Sequence, residues 1–177
     1  MHGRKAREVA LTGMLFALSI TLSVLESMVS PLLGLMPAMK LGLSNLVVMY
    51  AILYLGARPA LALVVLKALF AFLTRGATAG FLSLCGGAVS LLVFCLLLCL
   101  PKGTTGYIFC VCGALAHNLG QLCGAAILLS SGVALGYAPV LLVVGAAVGS
   151  LSYGLSRALF PALERTGVPR RKSRIIF

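Results

Sequence analysis

Eight polar side chains interrupt the apolar runs of this sequence: Glu26, Lys40, Asn45, Lys67, Arg75, His117, Asn118 and Gln121. Three are cations and one is a carboxylate, so their convergence would make a net-positive site suited to an anionic ligand. An ionisable group near a bilayer centre costs about 2.5–3.5 kcal/mol on insertion scales; such groups face a bundle interior and mark pathways or binding sites. His117 and Gln121 are four residues apart and share a helix face, with Asn118 flanking them. In this reading Lys40, Lys67 and Arg75 neutralise the anion. Asn45, His117, Asn118 and Gln121 orient it, and Glu26 holds a cation in place. The run Lys40-Leu41-Gly42-Leu43-Ser44-Asn45 adds a glycine beside a helix start, where free N–H groups and the helix dipole favour negative charge.

A structural reading of the same residues stands beside the functional one. Lys40 and Arg75 can snorkel to headgroups, Glu26 can bridge to either of them, and His117, Asn118 and Gln121 can serve as interhelical hydrogen-bond glue. Lys67 resists that reading, because a lysine in the middle of a span cannot easily reach either interface.

The inventory of other reactive groups excludes much chemistry. The chain has three carboxylate side chains, Glu8, Glu26 and Glu164, and no aspartate. A site that holds a diphosphate through Mg²⁺ and Asp-rich motifs needs several oxygen ligands, which are not present. No phosphate-cradling G-x-x-x-x-G-K-[ST] loop occurs either, so any ATP-derived work must come from another chain. Cys85, Cys95, Cys99, Cys110, Cys112 and Cys123 all fall within apolar runs without a C-x-x-C pair. They read as small packing residues, with no metal site or disulfide framework. These counts argue against an enzyme.

The elements that position the eight residues follow from composition. Of 177 residues, 61% are apolar and 10% charged, against about 45–50% and 25% in a soluble domain. Spans of about 20 residues fit at about 9–25, 43–56, 59–74, 81–100, 107–129 and 137–159, followed by a basic tail at 161–177. The expectation is therefore one all-α membrane domain, a six-helix bundle over 1–177. The first span follows Arg4, Lys5 and Arg7 but lacks a small-x-small cleavage site after it, so it reads as retained rather than as a signal peptide. Pro31, Gly34 and Pro37 discourage a continuous helix between Met28 and Gly42, which reads as a cap or re-entrant loop. Pro161 is expected to end the last span.

The net charge of +11 reflects membrane orientation rather than nucleic-acid binding. With six spans and both termini cytoplasmic, eleven of the fourteen Lys and Arg residues lie inside, as the positive-inside pattern requires. Glu26, Lys40, Asn45 and Arg75 then fall in the outer half, with Lys67 deeper. Small residues recur at four-residue spacing, as Gly120 and Gly124 or Gly145 and Gly149, which lets helices pack closely. Ala6, Ala10, Gly13 and Ala17 make a similar stripe on the first span, where a partner membrane subunit could dock.

The pieces Pro37-Ala38-Met39-Lys40-Leu41-Gly42-Leu43-Ser44-Asn45, Gly76, Phe81-x-Ser83-x-x-Gly86-Gly87-x-x-Ser90 and His117-Asn118-x-x-Gln121 resemble the Gx transporter family, also labelled heptaprenyl diphosphate synthase component I. The resemblance runs over about Ala6 to Phe160. That family is similar to the substrate-binding S components of energy-coupling factor transporters. The resemblance implies a multi-pass protein of a bacterial inner membrane that captures a vitamin-like solute from outside. It also implies docking through a small-residue stripe on the first helix, here Ala6, Ala10, Gly13 and Ala17, onto a coupling subunit that works with two ATPases. A flavin or another anionic precursor is the implied transported substrate, with no covalently bound cofactor. The alternative it leaves open is a non-catalytic membrane accessory of a polyprenyl diphosphate synthase.

Overall fold

The computed structural model describes residues 2–34, 40–100, 104–128, 131–165 and 175–176. Its elements are α1 (His2–Val29), a 3-10 turn (Ser30–Leu33), α2 (Asn45–Tyr54), α3 (Ala57–Arg75), α4 (Ala77–Cys99), β1 (Thr104–Thr105), α5 (Gly106–Leu128), α6 (Ser131–Arg165) and β2 (Ile175–Ile176). Among the described residues five helices are long and apolar enough to cross a membrane, which makes this an all-α, multi-pass bundle. Pro37, Lys102 and the basic residues Arg170, Arg171, Lys172 and Arg174 lie outside the described residues.

The second span departs from the sequence expectation. α2 has 10 residues and rises about 15 Å, half the thickness of a hydrocarbon core of about 30 Å. Gly42 and Gly56, at φ 99° and 106°, take the left-handed backbone region on either side of it. Nine of its ten residues are buried. An apolar helix of this kind looks like a span in sequence because it is apolar all round, yet what surrounds it here is protein.

At the other end of the chain, α6 continues through Pro161 to Arg165, correcting the expected stop. Proline removes one backbone bond to the residue four earlier. That residue is Arg157, which is exposed, so its freed carbonyl lies where solvent or headgroups can reach it.

Burial on α1 is reversed relative to a soluble helix. Ser19, Ser23 and Glu26 of α1 and Ser30, which opens the 3-10 turn, are buried, whereas Val9, Met14, Leu18, Val24, Leu25 and Met28 are exposed. Spacings of four, three and four put the buried polar residues on one face, and lipid is the solvent that suits the apolar remainder. The main apolar core joins α2, α3, α4 and α5, with Phe94 stacked on Phe109 at 4.7 Å and Ile175 completing one end. Glycines bring α4, α5 and α6 together. A Cβ on Gly120 would lie 2.6 Å from the Cys85 carbonyl oxygen, and one on Gly149 would lie 2.6 Å from Val111 Cα.

Candidate functional site

The segment from Lys40 to Asn45 is the hub on which the polar residues meet. Its non-helical backbone is buried in the bundle, which is tolerated at membrane depth only when protein satisfies its N–H and C=O groups. Gln121 on α5 does this for Lys40: its Oε1 accepts the Lys40 N–H at 2.9 Å and its Nε2 donates to the Lys40 carbonyl at 3.0 Å. The Lys40 ammonium donates to Ser23 Oγ on α1. Four residues on, Ser44 donates its N–H and its hydroxyl to the two oxygens of Glu26, both at 3.0 Å. The carboxylate thus sits at the N-terminus of α2, where the helix dipole favours a negative charge. Asn45 donates from Nδ2 to Ser90 Oγ on α4 at 2.6 Å.

Gly42, between these contacts, meets His117. A Cβ on Gly42 would stand 3.2 Å from His117 Cδ2, and one on Gly86 would stand 2.9 Å from His117 Nδ1. The imidazole is therefore slotted between two glycines from different parts of the chain. Asn118, the next residue, turns toward α6 and donates to the Leu141 carbonyl at 2.8 Å. Asn45 Oδ1 and Asn118 Oδ1 are buried without a hydrogen-bond partner among the described residues.

The charged residues cluster around the same hub. Lys40 interacts electrostatically with Arg75 and Glu26, Lys67 with Glu26 and Lys40, and His117 with Lys67 and Lys40. Glu26, Lys40, Lys67 and His117 are all at most 6% exposed, and Arg75, closing α3, is half-buried. Burial, with Arg75 adding like charge, lowers the Lys40 ammonium from its ordinary 10.5 to about 8, Glu26 opposing the shift. Lys40 precedes α2 and lies outside the spanning helices.

The structure thus places all eight sequence-selected residues in one neighbourhood built by α1, the Lys40–Asn45 segment, α3 and α5. Both oxygens of Glu26 accept from Ser44, and the carboxylate also interacts electrostatically with Lys40, Lys67 and Arg75. Ser23, the partner of Lys40, was not singled out in sequence. The signal for it was the buried i, i+4, i+7, i+11 series of Ser19, Ser23, Glu26 and Ser30. Among the described residues no group of three or more His, Cys, Asp or Glu could hold a metal ion.

Ala6, Ala10, Gly13 and Ala17 are all exposed. At 100° per residue their stripe lies roughly 140° around α1 from the buried serine and glutamate stripe. Beside it, α1 and α3 enclose a groove of about 580 Å³ lined by Thr12, Gly13, Phe16, Arg58, Ala62 and Leu66, among others.

A family model described as heptaprenyl diphosphate synthase component I matches residues 15–159. No curated protein and no solved structure gives a significant match.

Proposed function

The chain belongs to the heptaprenyl diphosphate synthase component I family, and from that premise we propose that it is a non-catalytic membrane subunit that captures an anionic solute. Specifically, it acts as the substrate-binding subunit of an energy-coupling factor type importer in a bacterial inner membrane. The observation that carries this reading is the gathering of Lys40, Lys67 and Arg75 around a single carboxylate, Glu26, whose oxygens already serve Ser44. Buried charge without a full complement of countercharge is costly. An anionic guest offsets that cost, and any donor it carries can meet the partnerless amide oxygens of Asn45 and Asn118. A flavin phosphate or another phosphorylated precursor has the right chemistry.

Catalysis finds no support in the carboxylates. Glu8 lines the groove between α1 and α3, and among the described side chains Glu26 is the one carboxylate at the hub. The exposed small-residue stripe on α1 supports docking to a membrane coupling subunit, and two ATPases on that subunit would supply the work.

The family description favours a second reading, an accessory subunit in polyprenyl diphosphate synthesis, in which the same cations meet a diphosphate. Copurification decides between the two. Coexpression with a coupling subunit and two ATPases is expected to yield a stable complex that carries the chain through affinity purification. Retention of a soluble, Asp-rich synthase with no such complex would instead select the accessory role.

A further inference from the structure

Beside the hub, at the start of α2, lies a cavity of about 10 Å³ bordered by Gly42, Asn45, Met49, Phe94, Cys110 and Ser152, among others. A water needs about 10–15 Å³ of such space and two to four polar partners, so there is room for one water and nothing larger. Two of the bordering side chains can serve it. Asn45 spends its Nδ2 on Ser90 Oγ at 2.6 Å and on the Gly113 carbonyl at 3.4 Å, which fixes the orientation of the amide. Its Oδ1 is left buried, with no protein donor among the described residues. Ser152, on α6, is 6% exposed. Its neighbours Ser150 and Ser156 donate to the carbonyls four residues earlier, at 2.9 and 2.7 Å, whereas the Ser152 hydroxyl makes no such bond among the described residues.

We propose that in the guest-free protein this cavity is the binding site of a single water molecule, which donates to Asn45 Oδ1 and hydrogen-bonds the hydroxyl of Ser152. Two other contents fit the surroundings less well. A dry cavity leaves an amide acceptor desolvated with no bond in return. A hard cation needs several oxygen ligands, yet the Cys110 thiol here donates to Met49 Sδ at 3.5 Å, Phe94 is a hydrocarbon, and Lys40, Lys67 and Arg75 already surround the hub. The water ties the first residue of α2, which directly follows the Lys40–Ser44 segment, to α6. It stands independently of the anion reading, because it needs only Asn45 and Ser152, and a guest whose own donor reaches Asn45 displaces it.

The test is hydroxyl-radical footprinting of the full chain by X-ray radiolysis in detergent micelles without added anion, since a bound water is itself the radical source for the side chains that touch it. Phe94 and Phe109 form a matched pair. Both rings are at most 1% exposed and they stack at 4.7 Å, but Phe94 borders the cavity and Phe109 does not. Phe94 is expected to be labelled at least tenfold faster than Phe109. Ser152→Val fills the cavity with a methyl group and removes one partner, so it is expected to bring Phe94 down to the rate of Phe109 while the helix content stays that of the parent. Equal rates for the two rings in the parent overturn the proposal without any variant, as does a crystal structure of the parent with no ordered water within hydrogen-bond distance of Asn45 Oδ1. Undiminished labelling of Phe94 in folded Ser152→Val overturns it as well.

Discussion

Gln121 holds Lys40 by both its backbone groups, accepting from its N–H at 2.9 Å and donating to its carbonyl at 3.0 Å across 81 residues of sequence. A side chain here takes the place of a neighbouring strand, which is how a non-helical segment is kept inside an apolar bundle.

Removing that clamp leaves two buried backbone groups without partners, each costing about 1–3 kcal/mol. Gln121→Leu is therefore expected to destabilise the protein by about 2–6 kcal/mol, read as a lower thermal midpoint in detergent. Gln121→Glu keeps the acceptor and loses the donor, so its midpoint should fall between the two. Equal midpoints for Gln121→Leu and the parent would remove the clamp from the account.

The glycine slot around His117 makes a second expectation. Gly86→Ala would put a Cβ 2.8 Å from both the His117 ring and its carbonyl oxygen, and overpacking of this kind costs about 1–3 kcal/mol. Gly42→Ala adds a left-handed φ of 99°, strained for alanine by roughly 1–2 kcal/mol. Both variants should lower the thermal midpoint, and Gly42→Ala should also weaken ligand binding because it shifts the segment carrying Lys40 and Asn45.

Much of this arrangement was legible in sequence, for a physical reason. Polar side chains are expensive in lipid, so their rarity made Lys67, His117 and Gln121 conspicuous and implied that they face inward. The length of α2 was not legible, because a helix wrapped in apolar protein and one wrapped in lipid carry the same composition. The partners of the polar residues were hidden as well. Gln121 meets backbone, which has no sequence signature, and Ser23 is one small hydroxyl among several. The seat of Ile175 was missed because a two-residue strand has no periodicity to read.

Packing and docking glycines should separate cleanly. Gly149→Leu forces a Cβ against the Val111 backbone at 2.6 Å, which cannot yield, and should cost more than 3 kcal/mol. Gly13 has nothing within 4 Å of its Cβ position, so Gly13→Leu with Ala17→Leu should leave stability within about 0.5 kcal/mol of the parent. The same pair should abolish copurification with a coupling subunit. An intact complex would exclude the α1 stripe as the docking surface.

Lys40 sets a pH dependence. Its folded value of about 8 lies below the ordinary 10.5, so between those values the unfolded chain binds more protons and ligand-free stability rises with pH. A bound anion favours the ammonium form, so affinity should fall through the same window. The difference in thermal midpoint between pH 7.5 and 9.5 should be more positive for the parent than for Lys40→Met. Identical pH dependence in the two proteins would show that Lys40 stays charged throughout.

The central claim is that the interior cations bind an anion, and equilibrium binding tests it most directly. The purified full chain would be titrated with flavin mononucleotide, geranyl diphosphate and inorganic pyrophosphate, alongside Lys67→Met and His117→Leu. At least one of the three should bind the parent, with each variant at least tenfold weaker, a loss of about 1.4 kcal/mol or more. Binding by Lys67→Met as tight as that of the parent, or no binding of any of the three, would contradict the account.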